Sequence, residues 1–497
     1  MIPWFAPPVS RLPFSPDIWA LLGLVLLFPL ALGLVALRFP PRHAWTVILW
    51  GLPLAASTLW LLGRVARGGP FQGSSDVWGV TLEWQLDSLS ILLILLTQLL
   101  MLASAAYAVG FHRASDLPRR SACRFWPLAG ALTGALVLIW IAADLLTLYA
   151  GLELMGLSAV ALMLLPSKEG AWVAGLRYLL YVLVGSLAWL LGVALLLGAW
   201  HHLDLDGLAR VVEPGMVTTV AVSLLTAGLL LKAAVFPLHG WLVPVHAAAW
   251  VPVSAIHAAL VIKASFFILL KLWLMLLPGQ VIGAWLLGVL GSLAVLWGGL
   301  LAWRATSLKR IVAFSTVGQL GYLLLAFPLM IGTSEAVSML AWQATWLQLA
   351  GHALAKAAMF MAVGNLILAS GCRDLLDLAG TSRRLPLSLM TFGLAAVTLM
   401  GLPPSAGFTA KWLFLQASLL GGHWPWVGVL MTGSLLTAAY VFRVFRHSYL
   451  EVASERTYRS LPAGMDLIAF LLALSAMGLG LLADWPLGLL RSPGGGT

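Results

Sequence analysis

The sequence predicts an all-α polytopic membrane protein of about fourteen transmembrane helices. Three observations lead there. Of the 497 residues, 61% are apolar and 9% are charged, a balance that few soluble folds tolerate. Apolar runs of ~20 residues recur from end to end, each long enough to cross a bilayer as a helix. Basic residues collect in alternate connections, as they do in multi-spanning proteins. The usual conversion of chain length into soluble domains therefore does not apply.

The spans follow in order. The first begins near Ile18, after Asp17 and a short proline-rich arm whose basic residue is Arg11. It lacks a clear small-residue cleavage site, so it reads as a retained helix and not a signal peptide. The expected limits are 18–37, 44–63, 86–109, 125–143, 145–165, 172–197, 216–235, 252–276, 281–303, 311–331, 341–369, 386–403, 426–442 and 461–482. The seventh span continues past Pro237 as a second half-helix, and the twelfth continues past Pro404 to about Leu420.

Charge gives the orientation. Arg38, Arg42, Arg113, Arg119, Arg120, Arg124, Lys168, Arg177, Arg304, Lys309, Arg310, Arg373, Arg383, Arg384, Arg443, Arg446, Arg456 and Arg459 all follow odd-numbered spans. Apart from the terminal arms, the opposite side holds only Arg64, Arg67, Arg210 and Lys271. Positive residues stay cytoplasmic, so both termini are expected outside a bacterial inner membrane. This bias accounts for the formal charge of +10, and no basic domain outside the membrane suggests nucleic-acid binding. Cys123 and Cys372 are far apart and near span ends, which suggests neither a disulfide framework nor a metal site. There is no cysteine cluster for iron–sulfur centres, no dinucleotide fingerprint and no evident haem pair. No cofactor is expected, and redox or hydrolytic chemistry is expected only in partner subunits.

A few ionisable residues remain inside the spans: Glu153, Lys232, Lys263, Lys356 and Lys411. Asp144 falls in the tight turn before the fifth span and reads as a boundary residue. A charge at mid-membrane costs at least ~2.5–3.5 kcal/mol, and such residues tend to mark ion or proton paths. The plainer alternative is that each one snorkels or forms a structural ion pair. Lysine suits a relay because burial brings its proton affinity toward neutrality. His257 shares the eighth span with Lys263, and His352 lies four residues before Lys356, on one helical face. Histidine titrates near physiological pH and suits proton transfer, although a lone membrane histidine is commonly a packing residue. His239 and His246 fall in or just beyond the second half of span seven and are read equally well as surface residues. His201, His202 and His423 fall in outward loops and are assigned nothing.

The helix breaks show a pattern. Pro237 closely follows Lys232, and Pro403 and Pro404 closely precede Lys411. If spans 4–8 and 9–13 are two five-helix units, each break falls in the fourth helix of its unit. Interrupted spans in corresponding positions point to internal repeats with a site at mid-membrane. A broken helix frees backbone groups that protein or water must satisfy, so a break can hydrate the lysine beside it. The expected division is N-terminal helices over 1–124, a first repeat over 125–276, a second over 277–442, and a last helix with its tail over 443–497.

Six stretches then carry a resemblance: "GLELMGLSAV", "LLLKAAVFPLHGWL", "VPVSAIHAALVIKASFFILLKL", "SLKRIVAFSTVGQLGY", "GHALAKAAMFMAVGNL" and "GLPPSAGFTAKWL". From about Leu86 to Leu420 the chain resembles the antiporter-like subunits shared by respiratory complex I (NADH-quinone oxidoreductase), membrane-bound hydrogenases and Mrp-type cation/proton antiporters. The resemblance implies two inverted five-helix repeats with helices 7 and 12 broken. It implies a Glu153–Lys232 ion pair controlling the first half-channel, Lys263 bridging the halves, Lys356 on a central polar axis and Lys411 facing the opposite exit. Val243 and Pro244 stand where the family usually has a Pro-acid pair, and Trp250 replaces a proline. Chain length and "HAALVIKAS" look most like the D-type member of the Mrp antiporters. The implied partners are other membrane subunits of a multisubunit complex, with protons and sodium or potassium as the transported ions. Rival readings are a proton-pumping subunit of a redox complex, a proton-driven partner of an inorganic carbon uptake complex, and a nonconducting scaffold.

Overall fold

The computed structural model describes residues 12–77, 79–115, 117–166, 168–451 and 457–491. Arg11 of the N-terminal arm and Arg456, used above for orientation, lie outside the described residues. Every expected span falls on a helix. The first six are α1 (Pro16–Arg38), α2 (Ala44–Gly68), α3 (Ser88–Ala114), α4 (Arg119–Ile141), α5 (Leu145–Met163) and α6 (Glu169–Trp200). A short surface helix, α7 (Leu205–Val211), precedes the broken seventh span, which is α8 (Met216–Lys232) and α9 (Leu242–Ala248). Then come α10 (Val251–Leu276), α11 (Val281–Arg304), α12 (Leu308–Met330) and α13 (Glu335–Ser370). The broken twelfth span is α14 (Pro386–Met400) and α15 (Ala406–Leu420), followed by α16 (Trp424–Ser448), α17 (Ala463–Leu481) and α18 (Asp484–Arg491). Among the described residues, twelve helices are long and apolar enough to cross a membrane, and two shorter apolar ones, α8 and α14, end at the breaks.

Side-chain caps set several starts. Asp87, Asp144 and Ser405 accept hydrogen bonds from backbone N–H groups in the first turns of α3, α5 and α15, satisfying donors that a helix leaves free. Helices α10, α12 and α13 form the interior, whereas α1 and α17 turn most of their surface outward. Small residues bring helices into close contact, as expected in lipid, where packing drives association. A methyl group added at Gly321 of α12 would clash with the Gly291 carbonyl oxygen of α11.

One connection differs from expectation. The stretch read as a loop between spans two and three folds as a hairpin of β2 (Phe71–Val77) and β3 (Val80–Leu86), with Leu12–Pro13 as a parallel third strand, β1. The cause is visible in β3, where Val80, Leu82, Trp84 and Leu86 alternate with polar residues, the period of a half-covered strand. Gly79 closes the turn at φ +81°. The hairpin is tied to the α4–α5 turn by Ala143 N–H donating to Glu83 O, and that turn is tied to the start of α7 by Leu205 N–H donating to Ala143 O.

Candidate functional site

The first break ends α8 at Lys232, five residues before Pro237 and earlier than the expected limit of 235. Ala234 takes a left-handed conformation at φ +53°, and the residue preceding Pro237 is biased away from helix. Ending the helix frees the Leu231 carbonyl, which accepts a hydrogen bond from Trp241 Nε1 at 2.9 Å. Lys232 Nζ lies 3.0 Å from Glu153 Oε1 of α5 and donates to Ser186 Oγ of α6 at 2.8 Å. The Ser186 hydroxyl also donates to Glu153. The Lys232 side chain is 3% exposed and that of Glu153 is 20% exposed.

Glycine makes this arrangement possible. A methyl group at Gly185 of α6 would lie 2.9 Å from the Gly228 carbonyl oxygen and 3.3 Å from Lys232 Cγ. Gly185→Leu is therefore expected to separate α6 from α8 and break the Ser186–Lys232 contact. Measured by thermal unfolding of the assembled complex, the loss is about 1–3 kcal/mol, as for other overpacked interiors.

The aromatic arm of the break leads to His257. Trp241 stacks on Tyr178 of α6 with centroids 4.1 Å apart, and Tyr178 Oη is 2.9 Å from His257 Nε2. His246 of α9 is fully buried, not at the surface. Its ring lies 5.1 Å from that of His257 and stacks on Phe360 of α13 at 4.9 Å. Neither ring nitrogen of His246 has a hydrogen-bond partner among the described residues. His239 is partly exposed and stacks on Phe236.

Residues His257–Val261 of α10 form a π-helical turn. Such a turn loosens the regular hydrogen-bond ladder and recurs at functional sites. Here Lys263 Nζ donates to the Ala258 carbonyl. On α13, Lys356 Nζ donates to Val312 O at 2.9 Å and to Ser315 Oγ. His352 is buried, and neither of its ring nitrogens has a hydrogen-bond partner among the described residues. Gln348 donates to Gln319 Oε1 at 3.0 Å, and Gln319 donates to Leu399 O at 3.1 Å.

The same Leu399 carbonyl accepts from Lys411 Nζ at 2.9 Å, and Met400 O accepts from it at 3.1 Å. Lys411 thus caps the end of α14, where the helix leaves carbonyls free and favours a cation. It also donates to Ser434 Oγ at 3.0 Å and lies 4.5 Å from the centre of the Tyr322 ring. The break beneath it turns at Gly401, φ +80°. Prolines 403 and 404 follow, and α15 packs so closely that a methyl group at Gly407 would clash with Thr398 O.

The structure therefore sets the singled-out residues in one row, the half-buried Glu153 followed by the buried Lys232, His257, Lys263, His352, Lys356 and Lys411. Lys232 has a carboxylate partner. Lys263, Lys356 and Lys411 are held by carbonyls and hydroxyls. An ammonium without a counter-charge is costly to bury, so its protonation responds to any charge brought near. Sequence reasoning missed Ser186, which bridges Glu153 and Lys232, and Tyr178, Trp241, Ser315, Gln319, Gln348 and Ser434, which bond beside the other members of the row. It also misplaced Lys271, which is 3% exposed inside α10 and donates to Ala142 O at 3.0 Å. The α4–α5 turn and α7 lie against this part of α10.

Comparison with known proteins adds sequence and fold relations. The family described as "NADH:quinone oxidoreductase/Mrp antiporter, TM" matches residues 142–437, a stretch that contains every member of the row. The NADH-quinone oxidoreductase subunit N of Desulforudis audaxviator (strain MP104C) is 32% identical over 444 residues, covering 87% of this chain and 86% of that protein. A chain in the Mrp complex from Dietzia sp. DQ12-45-1b has the same fold, with a TM-score of 0.85, 24% identity and 97% of each chain covered. So does a chain of the membrane-bound sulfane sulfur reductase, an archaeal respiratory membrane complex, with a TM-score of 0.82, 22% identity and 96% of each chain covered.

Proposed function

Because the chain belongs to the NADH:quinone oxidoreductase/Mrp antiporter family of membrane proteins, we propose that it conducts protons within a larger membrane complex. The observation that carries this reading is the buried row from Glu153 to Lys411, in which three lysines lack a carboxylate partner among the described residues. Charge arriving beside Glu153 weakens or strengthens its hold on Lys232. The proton released passes by water and past Tyr178 and His257 to Lys263. It continues past His352 to Lys356, and then along Ser315 and Gln319 to Lys411 and the outer surface. The steps are coupled titrations, so no lysine owns an isolated proton affinity. Two five-helix repeats, each broken beside its lysine, are the frame for this relay. The bias of basic residues toward one side supports both termini outside a bacterial plasma membrane.

The likeness to subunit N, at 32% identity over most of both chains, favours a redox-driven complex of the NADH-quinone oxidoreductase kind. Its other membrane subunits are the partners. The alternative reading, a monovalent cation/proton antiporter component like the D-type member of the Mrp complexes, draws on the stretch "HAALVIKAS". Vesicles holding the native complex separate the two. Proton movement that starts on adding reductant and ignores sodium supports the redox reading. Movement that requires a sodium or potassium gradient supports the antiporter and overturns it.

Lys411→Met is expected to lower driven proton flux about a hundredfold, the scale of losing a proton-transfer group. The complex is expected to stay assembled, because methionine fills the same space. Trp241→Phe removes the indole donor from the Leu231 carbonyl, which keeps the Ala234 N–H at 3.3 Å, and is expected to cost about 0.5–1.5 kcal/mol, read as a lower unfolding midpoint.

A further inference from the structure

We propose that the first repeat carries a second outward branch of the proton route, which ends at Lys271 and is closed in this structure by an aromatic plug of Trp140, Phe267 and Trp346. The branch rests on the proton-conducting reading above and extends it to a residue outside the row.

Lys271 stands eight residues beyond Lys263 on the same helix, or ~12 Å nearer the outer surface by helical rise. It is 3% exposed, and its ammonium donates to Ala142 O. A basic residue buried in a span marks a functional path by default. Yet Lys271 has no part in the route from Lys232 to Lys411, which leaves through the second repeat.

Phe267 lies midway between the two lysines, and its ring centre is 5.9 Å from Lys271 Nζ. It packs edge-on against Trp140 of α4 at 5.1 Å and against Trp346 of α13 at 6.2 Å. Trp346 is braced in turn by Trp342 at 5.2 Å. All four rings are buried. They form an apolar layer across the gap between the two lysines, and such a constriction blocks ions by excluding water.

Above the layer the surroundings change to acids. Asp144 is buried in the turn adjoining Ala142, and Asp206 is buried on α7, which packs against the outer part of α10. Asp204 and Glu83 complete the group. The Glu83 carboxyl, in β3 and outside the membrane spans, is raised from its ordinary value. Burial is the main cause, and the charges of Asp204, Asp144 and Asp206 add to it against a hydrogen bond from Gln72. Lys271 thus stands between an apolar seal and carboxyl groups able to pass protons to the outside.

The test uses the intact complex in liposomes with a pH-sensitive dye inside and an imposed membrane potential, without substrate. Phe267→Ala is expected to raise passive proton conductance about fivefold or more by letting water through the constriction. Adding Lys271→Met should return conductance to the wild-type level. Adding Lys411→Met instead should leave the leak unchanged, because the branch does not use that exit. Trp346→Phe opens a smaller gap in the same layer and should give a smaller leak of the same dependence, which covers the case in which Phe267→Ala does not assemble. An assembled Phe267→Ala complex with wild-type conductance overturns the proposal, as does a leak that persists with Lys271→Met. Driven flux measured in the same vesicles keeps the two readings apart. The branch alone fails if wild-type driven flux is present and depends on Lys232. The parent reading fails if it is not.

Discussion

Lys263→Met abolishes proton transfer through the chain, by about a hundredfold or more, without lowering the stability of the assembled complex. These two outcomes together are informative. Lys263 is buried, and its one hydrogen-bond partner among the described residues is the Ala258 carbonyl inside its own helix. Replacing a buried charge with an apolar group of similar volume is often neutral or stabilising, by ~1–4 kcal/mol. Methionine therefore removes the proton carrier and relieves a desolvation cost at once. A purely structural lysine would behave in the opposite way, with flux preserved and stability lost. The measurements are driven proton flux and the thermal unfolding midpoint on the same preparation.

Gly407→Val is expected to remove the complex from the membrane altogether. An added Cβ would run into the Thr398 carbonyl oxygen, a backbone atom that cannot swing aside. Helix α15 would have to move off α14, taking Lys411 from the Leu399 and Met400 carbonyls and reopening the break. A forced backbone separation of this kind exceeds ~4–5 kcal/mol, the range reserved for severe lesions. Gly428→Ala is the control, since a methyl group there meets nothing within 4 Å. Blue-native electrophoresis of membranes should show normal complex for Gly428→Ala and none for Gly407→Val.

The spans were legible because lipid demands long apolar helices and leaves the sequence little freedom. The breaks were legible because proline near an intramembrane lysine is rare enough to notice. The linking polar residues were not. Ser186, Ser315, Gln319 and Gln348 are uncharged, and serine in a span can satisfy itself on a carbonyl of its own helix, as Ser418 does on Phe414. Nothing in the pattern separates a linking serine from a self-satisfied one. The burial of His246 was also hidden, because it depends on α9 folding back against Phe360 of α13, far away in sequence. Lys271 looked like a span-end residue. Its surroundings are the Ala142–Asp144 turn and α7, which lie far from it in sequence and carry no sign of that contact.

The central claim is that charge near Glu153 governs a proton carried by Lys232. Proton flux in sealed vesicles holding the native complex, compared between wild type and Lys232→Ala, tests it most directly. The account predicts collapse of flux in Lys232→Ala with the complex still assembled. Undiminished flux in an assembled Lys232→Ala complex would contradict it and leave the row as structural ballast in a membrane scaffold.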